Sequence, residues 1–154
     1  MDKLSALIKE LETKIPFSEK LNLSVSRSSV GWHIQHTILA SMQIIAAIEK
    51  SNPSDYHWEF NFKKILVFTL NKIPRGKAKA PKSVLPSGEI VKDDLLRDLQ
   101  VLKNRIKLLP GLQPDNFFKH PFFGNLNLKA TVKMLNIHTR HHIDIINDII
   151  RAGK

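Results

Sequence analysis

The spacing of apolar residues along the chain predicts a series of long helices. The longest apolar run belongs to the second helix along the chain, which starts after a serine cap at Ser28 or Ser29 and continues through residues 30–50. Its apolar side chains on nearly every side indicate a central, well-covered position. The first helix ends at or just before Pro16. Its apolar residues recur at steps of three and four, as in an amphipathic helix with one buried stripe: Leu4, Leu7, Ile8, Leu11 and Ile15.

The second half of the chain predicts two more long helices. The third helix of the chain ends at Pro110 and Gly111. The segment FFKHPFFGN then reads as a loop, and Asn125 or Asn127 caps a last helix at about 127–151. The stripe of the third helix consists of Ile90, Leu95, Leu99, Leu102, Ile106 and Leu109.

A long connection separates the second and third helices. Within it, residues 60–70 suit a short helix or a strand, because periodicity does not separate the two for so short an apolar run. The lack of an evident partner strand favours the helix. The fold class predicted is therefore all-α, a four-helix bundle with a long, partly helical connection between helices 2 and 3.

Length and composition restrict the kinds of site the chain offers. A chain of 154 residues is expected to form a single domain over residues 1–154 with its own core. It contains no cysteine, so any metal must be held by nitrogen or oxygen. The first residues do not resemble a signal peptide, and no stretch approaches the roughly 20 apolar residues of a membrane span. We expect a cytoplasmic protein without a membrane partner.

The formal net charge of +10 favours association with anions of some kind. Basic residues concentrate in a loop at about residues 71–88, where proline and glycine argue against a helix. A solvated surface loop is the first interpretation of this segment. The second is a contact for a phosphate or carboxylate, with Arg75, Lys77 and Lys79 as the candidate residues.

The last predicted helix carries three histidines within five positions, in the sequence NIHTRHHIDII. At about 100° per residue, His138 and His142 fall in the middle of the buried stripe, and His141 lies about 60° from His138, near its edge. Two imidazoles one turn apart point the same way and can reach one ion. Packing is the alternative, but two polar rings in an apolar stripe would each need a hydrogen-bond partner.

A further ligand is expected from a facing helix. The sequence GWHIQHT offers His33 and His36, which differ by about 60° in direction, and the helical wheel ranks His36 only slightly higher. His120 precedes Pro121 and therefore has extended backbone. It either covers the mouth of the site or simply lies in the loop.

Three segments of the sequence, SVGWHIQHTIL, HPFFGNLNL and HTRHH, resemble the DinB-like superfamily of metal-binding four-helix bundles, also called YfiT-like. The similarity covers roughly residues 28–151. Together with PRGKAKAPK, these segments resemble a bacterial branch classed as a domain of unknown function. The resemblance implies a divalent metal ion, nickel or zinc, bound by His36, His138 and His142. His33, His141 and His120 are then supporting residues or alternative ligands.

The resemblance implies little about the reaction, although characterised members of the superfamily include transferases and isomerases that use low-molecular-weight thiols. Three imidazoles leave at least one coordination position of a divalent ion open, as in a catalytic site. We therefore expect a metal-dependent enzyme, either a thiol-dependent transferase or a hydrolase acting on a small molecule. The hydrolase lacks an evident general base, since no glutamate accompanies the histidine pair and Asp144 lies about 120° from His138.

Two alternatives belong to other functional classes. A basic binding module would use its charge on nucleic acid or another anion, but the aromatic residues are not interleaved with lysines and no helix-turn-helix pattern is evident. No nucleic-acid partner is therefore expected. A metal-bound scaffold or sensor without catalysis is the other alternative. The apolar helix surfaces are compatible with a homodimer.

Overall fold

A computed structural model describes residues 2–76 and 80–152, and these residues are mostly helical. The prediction of a predominantly helical protein is confirmed, and the uncertain segment of the long connection is a helix. The described elements are α1 (Asp2–Glu12), α2 (Val30–Lys50), α3 (Phe62–Leu70), α4 (Lys92–Ile106), β1 (Phe117–His120), β2 (Gly124–Asn127) and α5 (Leu128–Ala152), with short 3₁₀ turns at Ile15–Phe17, Pro53–Asp55, Lys82–Val84 and Leu109–Gly111.

Local capping sets where two of the long helices begin. The Ser29 hydroxyl accepts a hydrogen bond from the backbone N–H of Trp32 at 3.2 Å, so Ser29 rather than Ser28 is the cap of α2. Asn127 accepts from the backbone N–H of Ala130 at 3.0 Å at the start of α5. Each side chain satisfies an N–H group that has no partner within its own helix.

The four long helices share one apolar core. Helix α1 lies against α4 and α5, and α2 lies against the same two helices. Each contributes side chains with 0% exposure, such as Ile8, Ile45, Leu99 and Leu135. Burial of these apolar surfaces is the main stabilising contribution to the arrangement. Within the two described ranges, no helix combines the length and apolarity needed to cross a membrane.

The segment predicted as a loop before α5 is a β-hairpin, so the mostly helical structure also contains a small two-stranded sheet. Strands β1 and β2 pair antiparallel, with Phe117 opposite Asn127 and His120 opposite Gly124. Gly124 has a φ of 70°, which a residue without Cβ adopts at little cost. Strands of four residues are too short to show alternation clearly, so pairing between them depends on the turn and on packing.

The hairpin and α3 lie beside the main core. Phe123 and Leu126 of the hairpin form a second apolar cluster with Met134 of α5, and Phe68 of α3 packs against it. Helix α3 has no buried residue, but it contacts α5 through this cluster. As a result, the hairpin is held next to the first turns of α5.

Candidate metal centre

Three histidines converge between α2 and α5. His36 comes from α2, and His138 and His142 lie one turn apart on α5. One nitrogen from each ring lies within 4.8 Å of the others. Nitrogens about 2.1 Å from a single zinc ion are about 3–4 Å apart, so small ring rotations bring this set onto one ion.

The packing of α2 against α5 explains this convergence. Residues four apart on a helix share a face, so the two rings of α5 lie next to each other, edge to face, on one side of the helix. The ring centroids of His138 and His142 are 4.7 Å apart, and that of His36 is 4.8 Å from His142. The indole of Trp32, one turn before His36, stacks on its ring at 5.1 Å and 12°. This contact restricts the orientation of the His36 imidazole.

Hydrogen bonds determine which nitrogens remain available on two of the rings. Nδ1 of His36 lies 2.8 Å from the carbonyl oxygen of Val84, which can only accept, so the proton is on Nδ1 and the lone pair is on Nε2. Nδ1 of His142 lies 3.0 Å from Nδ1 of His33. When His142 donates in this bond, its Nε2 also carries a free lone pair. Nε2 of His33 then donates to the Ser26 hydroxyl at 3.0 Å.

His138 provides the observation that tests whether a metal fits. Its Nδ1 atom is buried and has no hydrogen-bond partner among the described residues. An unpaired buried polar group costs about 1–3 kcal/mol. This ring, with its buried and unpaired nitrogen, lies beside two rings that have free lone pairs. Together the three rings provide the nitrogen donors that nickel and zinc prefer. The three residues therefore fit a divalent cation.

Burial keeps the three rings neutral. It lowers the pKa of His138 to about 3 and holds the pKa of His142 well below its usual range. Burial also lowers the pKa of His36, while the Val84 carbonyl opposes that shift. Because the charged forms are disfavoured at pH 7, the lone pairs that a metal requires are not blocked by protons.

A cavity of about 650 Å³ opens beside the three histidines. Its walls come from α2, the segment at 80–85, the β-hairpin and α5, and most of the wall residues are apolar. No aspartate or glutamate lines it within the described parts of the chain. The cavity therefore provides space for a ligand, but no carboxylate to act as a base.

The other three predicted histidines lie around the three-nitrogen cluster and are not part of it. His33 is 5% exposed and bonds to His142. His141 and His120 both line the cavity. Burial lowers the pKa of His141, and it lowers the pKa of His120 to about 4.

The basic loop predicted as an anion contact is described only in part. The Nη2 atom of Arg75 lies 2.8 Å from Oδ2 of Asp148, an exposed ion pair that ties the loop to α5. Lys77 and Lys79 lie outside the described residues. Arg75 is also close enough to contribute to the lowered pKa values of His33 and His141.

Sequence reasoning missed three groups that hold the site. Trp32 immediately precedes the histidine pair of α2, and this adjacency was its only signal. Ser26 stands ten residues before His36 and has no motif that marks it. The Val84 carbonyl is a backbone group with no side-chain signal at all, and only the folded connection brings it to His36.

Comparison with known protein families provides independent information. The family model described as the DinB superfamily matches residues 6–146. This range contains the three converging histidines, the hairpin and most of the helical core. Comparison with curated proteins and with solved structures gave no match.

Proposed function

Because the chain belongs to the DinB superfamily, we propose that it is a divalent-metal-dependent enzyme whose ion is bound by His36, His138 and His142. The proposal depends on one observation: three neutral imidazoles from two helices converge at the end of a cavity. We also infer that α1, α2, α4 and α5 form the four-helix bundle of this superfamily, within a single domain.

Three protein ligands correspond to a catalytic rather than a structural metal site, since structural sites are usually closed by four. A divalent ion held by these residues, nickel or zinc, would supply Lewis acidity beside the cavity. The residues around it orient the ligand rings. The Val84 carbonyl holds His36, and the chain from Ser26 through His33 holds His142.

Between the two expected reactions, the cavity favours transfer to or from a thiol over hydrolysis. A hydrolase needs a general base near the reacting centre, and the described cavity wall offers histidines but no carboxylate for this role. Asp144 is an exposed residue near Arg140, and Asp148 is paired with Arg75. Neither acid lines the cavity. We therefore propose a thiol-dependent transferase as the first reaction class and a hydrolase as the second.

Elemental analysis of protein purified without an affinity tag tests the metal site. His138→Ala is expected to abolish stoichiometric nickel or zinc binding, because two imidazoles are left. His57→Ala is the matched control, since the His57 side chain is 68% exposed and outside the cavity. Circular dichroism checks that both variants fold. Full metal occupancy in the His138 variant would overturn the proposal.

Trp32 offers an optical test of where the metal binds. The chain has two tryptophans, so Trp58→Phe leaves Trp32, whose ring stacks on His36, as the only indole. Nickel bound by His36 is expected to quench this fluorescence strongly. Zinc has a filled d shell and should quench much less. Stoichiometric nickel binding without quenching would place the ion elsewhere.

The reaction class is tested with simple substrates. Metal-loaded protein is incubated with cysteine and a chlorodinitrobenzene acceptor, and separately with a nitrophenyl ester. The transferase is supported by transfer activity that the native chain shows only when metal is bound. His138→Ala should lack this activity even after metal is added. Ester hydrolysis alone, with the same metal dependence, would replace it with the hydrolase.

A further inference from the structure

The cavity beside the three histidines has mostly apolar walls. Its volume of about 650 Å³ is within the range of pockets that enclose small organic ligands. Aromatic and aliphatic side chains reach it from α2, from the segment after the Lys82–Val84 turn, from the hairpin and from α5. Among them are Trp32, Leu85, Phe118, Phe122 and Met134.

The polar groups on the described wall are few. Apart from histidines they include Gln43 and Lys82. The Gln43 amide is already bonded to the Ser83 hydroxyl at 3.1 and 3.2 Å, and Lys82 is exposed to solvent. A ligand with several charges would lose hydration here, and apart from the histidines the described wall offers it few partners. A ligand with one polar end would place that end at the histidines and the rest against apolar walls.

We propose that the cavity binds an organic substrate with an apolar body and one anionic, metal-binding head group directed at the three histidines. This inference extends the proposed function and depends on its metal site for the head group. The apolar walls define the body of the substrate independently of the metal.

His120 is assigned as a hydrogen-bond donor to that head group. Its Nδ1 accepts from the backbone N–H of Phe122 at 3.1 Å, so the proton of the neutral ring is on Nε2. The ring stacks on Phe123 at 4.3 Å and 12°, which fixes its plane. No described residue is hydrogen-bonded to Nε2 in the structure. The N–H of a rigid ring on the cavity wall is therefore available to a ligand.

A pair of probes that share one head group tests the class of substrate. Zinc-loaded protein is titrated by calorimetry with acetohydroxamate and with phenylpropanohydroxamate, which have the same zinc-binding group and differ in the apolar body. Burial of the phenyl group should make the second probe bind about tenfold or more tightly. Equal affinities, or tighter binding of acetohydroxamate, would overturn the proposal.

Single substitutions assign the effect to the cavity. Phe122→Ser is expected to weaken the phenyl probe about threefold or more and to leave acetohydroxamate unchanged, because Phe122 lines the cavity and is 45% exposed. Phe60→Ser is the matched control, an exposed aromatic residue that does not line the cavity. Equal losses in both variants would show a non-specific effect and overturn the assignment.

His120→Phe keeps a ring that can stack on Phe123 but removes the N–H group. Because the two probes share the head group, both are expected to bind about fivefold more weakly to this variant, in the range of one lost hydrogen bond. Unchanged affinities for both probes would overturn the assignment of His120 as a donor.

Separate measurements test the proposed metal site and the proposed apolar substrate of the cavity. Zinc content is measured first, and protein that takes up no zinc contradicts the proposed function. The phenyl probe is then titrated into metal-free protein, where weak binding that Phe122→Ser abolishes supports an apolar substrate. Absence of any binding of this probe, with or without zinc, overturns the further inference.

Discussion

The hydrogen bond between His33 and His142 predicts how a residue that is not a ligand controls metal affinity. The two Nδ1 atoms are 3.0 Å apart, and the residues are only 5% and 7% exposed, so water does not replace either partner easily. His33→Leu removes the acceptor and replaces the imidazole with an apolar side chain of suitable size. When His142 binds a metal through Nε2, its proton must stay on Nδ1, which this variant leaves buried and unpaired.

The size of the effect follows from that unpaired donor. A buried polar group without a partner costs about 1–3 kcal/mol. Part of this cost also falls on the metal-free protein, but there His142 can move its proton to Nε2, beside the cavity. The cost is therefore larger in the metal-bound protein than in the metal-free protein. This difference raises the dissociation constant for zinc about 10- to 100-fold, the range measured when supporting residues of metal ligands are lost. The stoichiometry should remain one ion per chain.

Competition with a chromophoric zinc chelator measures this dissociation constant, and circular dichroism checks folding. Ser26→Ala is the graded control, because the Ser26 hydroxyl bonds to Nε2 of His33 and not to the nitrogen that faces His142. It is expected to weaken zinc binding less than His33→Leu does. An unchanged dissociation constant in His33→Leu would refute the role of this bond. Complete loss of zinc would instead make His33 a ligand.

Three further predictions concern the stability of the fold and are measured by urea denaturation. Ser29→Ala should lower the free energy of unfolding by about 1 kcal/mol through loss of the α2 cap, whereas Ser28→Ala should change it little; equal effects would contradict the cap assignment. Leu99→Ala, at a position with 0% exposure, should cost about 2–5 kcal/mol, but Leu96→Ala, at a position 44% exposed, should cost far less. Gly124→Ala should cost about 1–2 kcal/mol because its φ of 70° strains a residue with a Cβ, and an unchanged stability would show that the hairpin turn adapts.

Much of the helical structure was predictable because it depends on local properties of the chain. Recurrence of apolar residues at three and four positions marks the buried face of a helix wherever the helix later packs. Prolines and capping side chains mark its ends, as Ser29 and Asn127 do here. The hairpin escaped prediction because its two short strands stabilise each other and the neighbouring cluster around Phe123, which are non-local contacts.

The sequence by itself determined that His138 and His142 share one face of a helix, since four residues make about one turn. It did not determine whether His33 or His36 faces them, because both lie on a helix that is apolar nearly all round. The position of α2 against α5 decided this: His36 joins the cluster, and His33 becomes the hydrogen-bond partner of His142. The Val84 carbonyl and the apolar cavity likewise exist only in the folded protein, because they combine segments that are distant in the chain. Helical periodicity acts over a few residues, whereas the site depends on how whole helices, the hairpin and the long connection pack together.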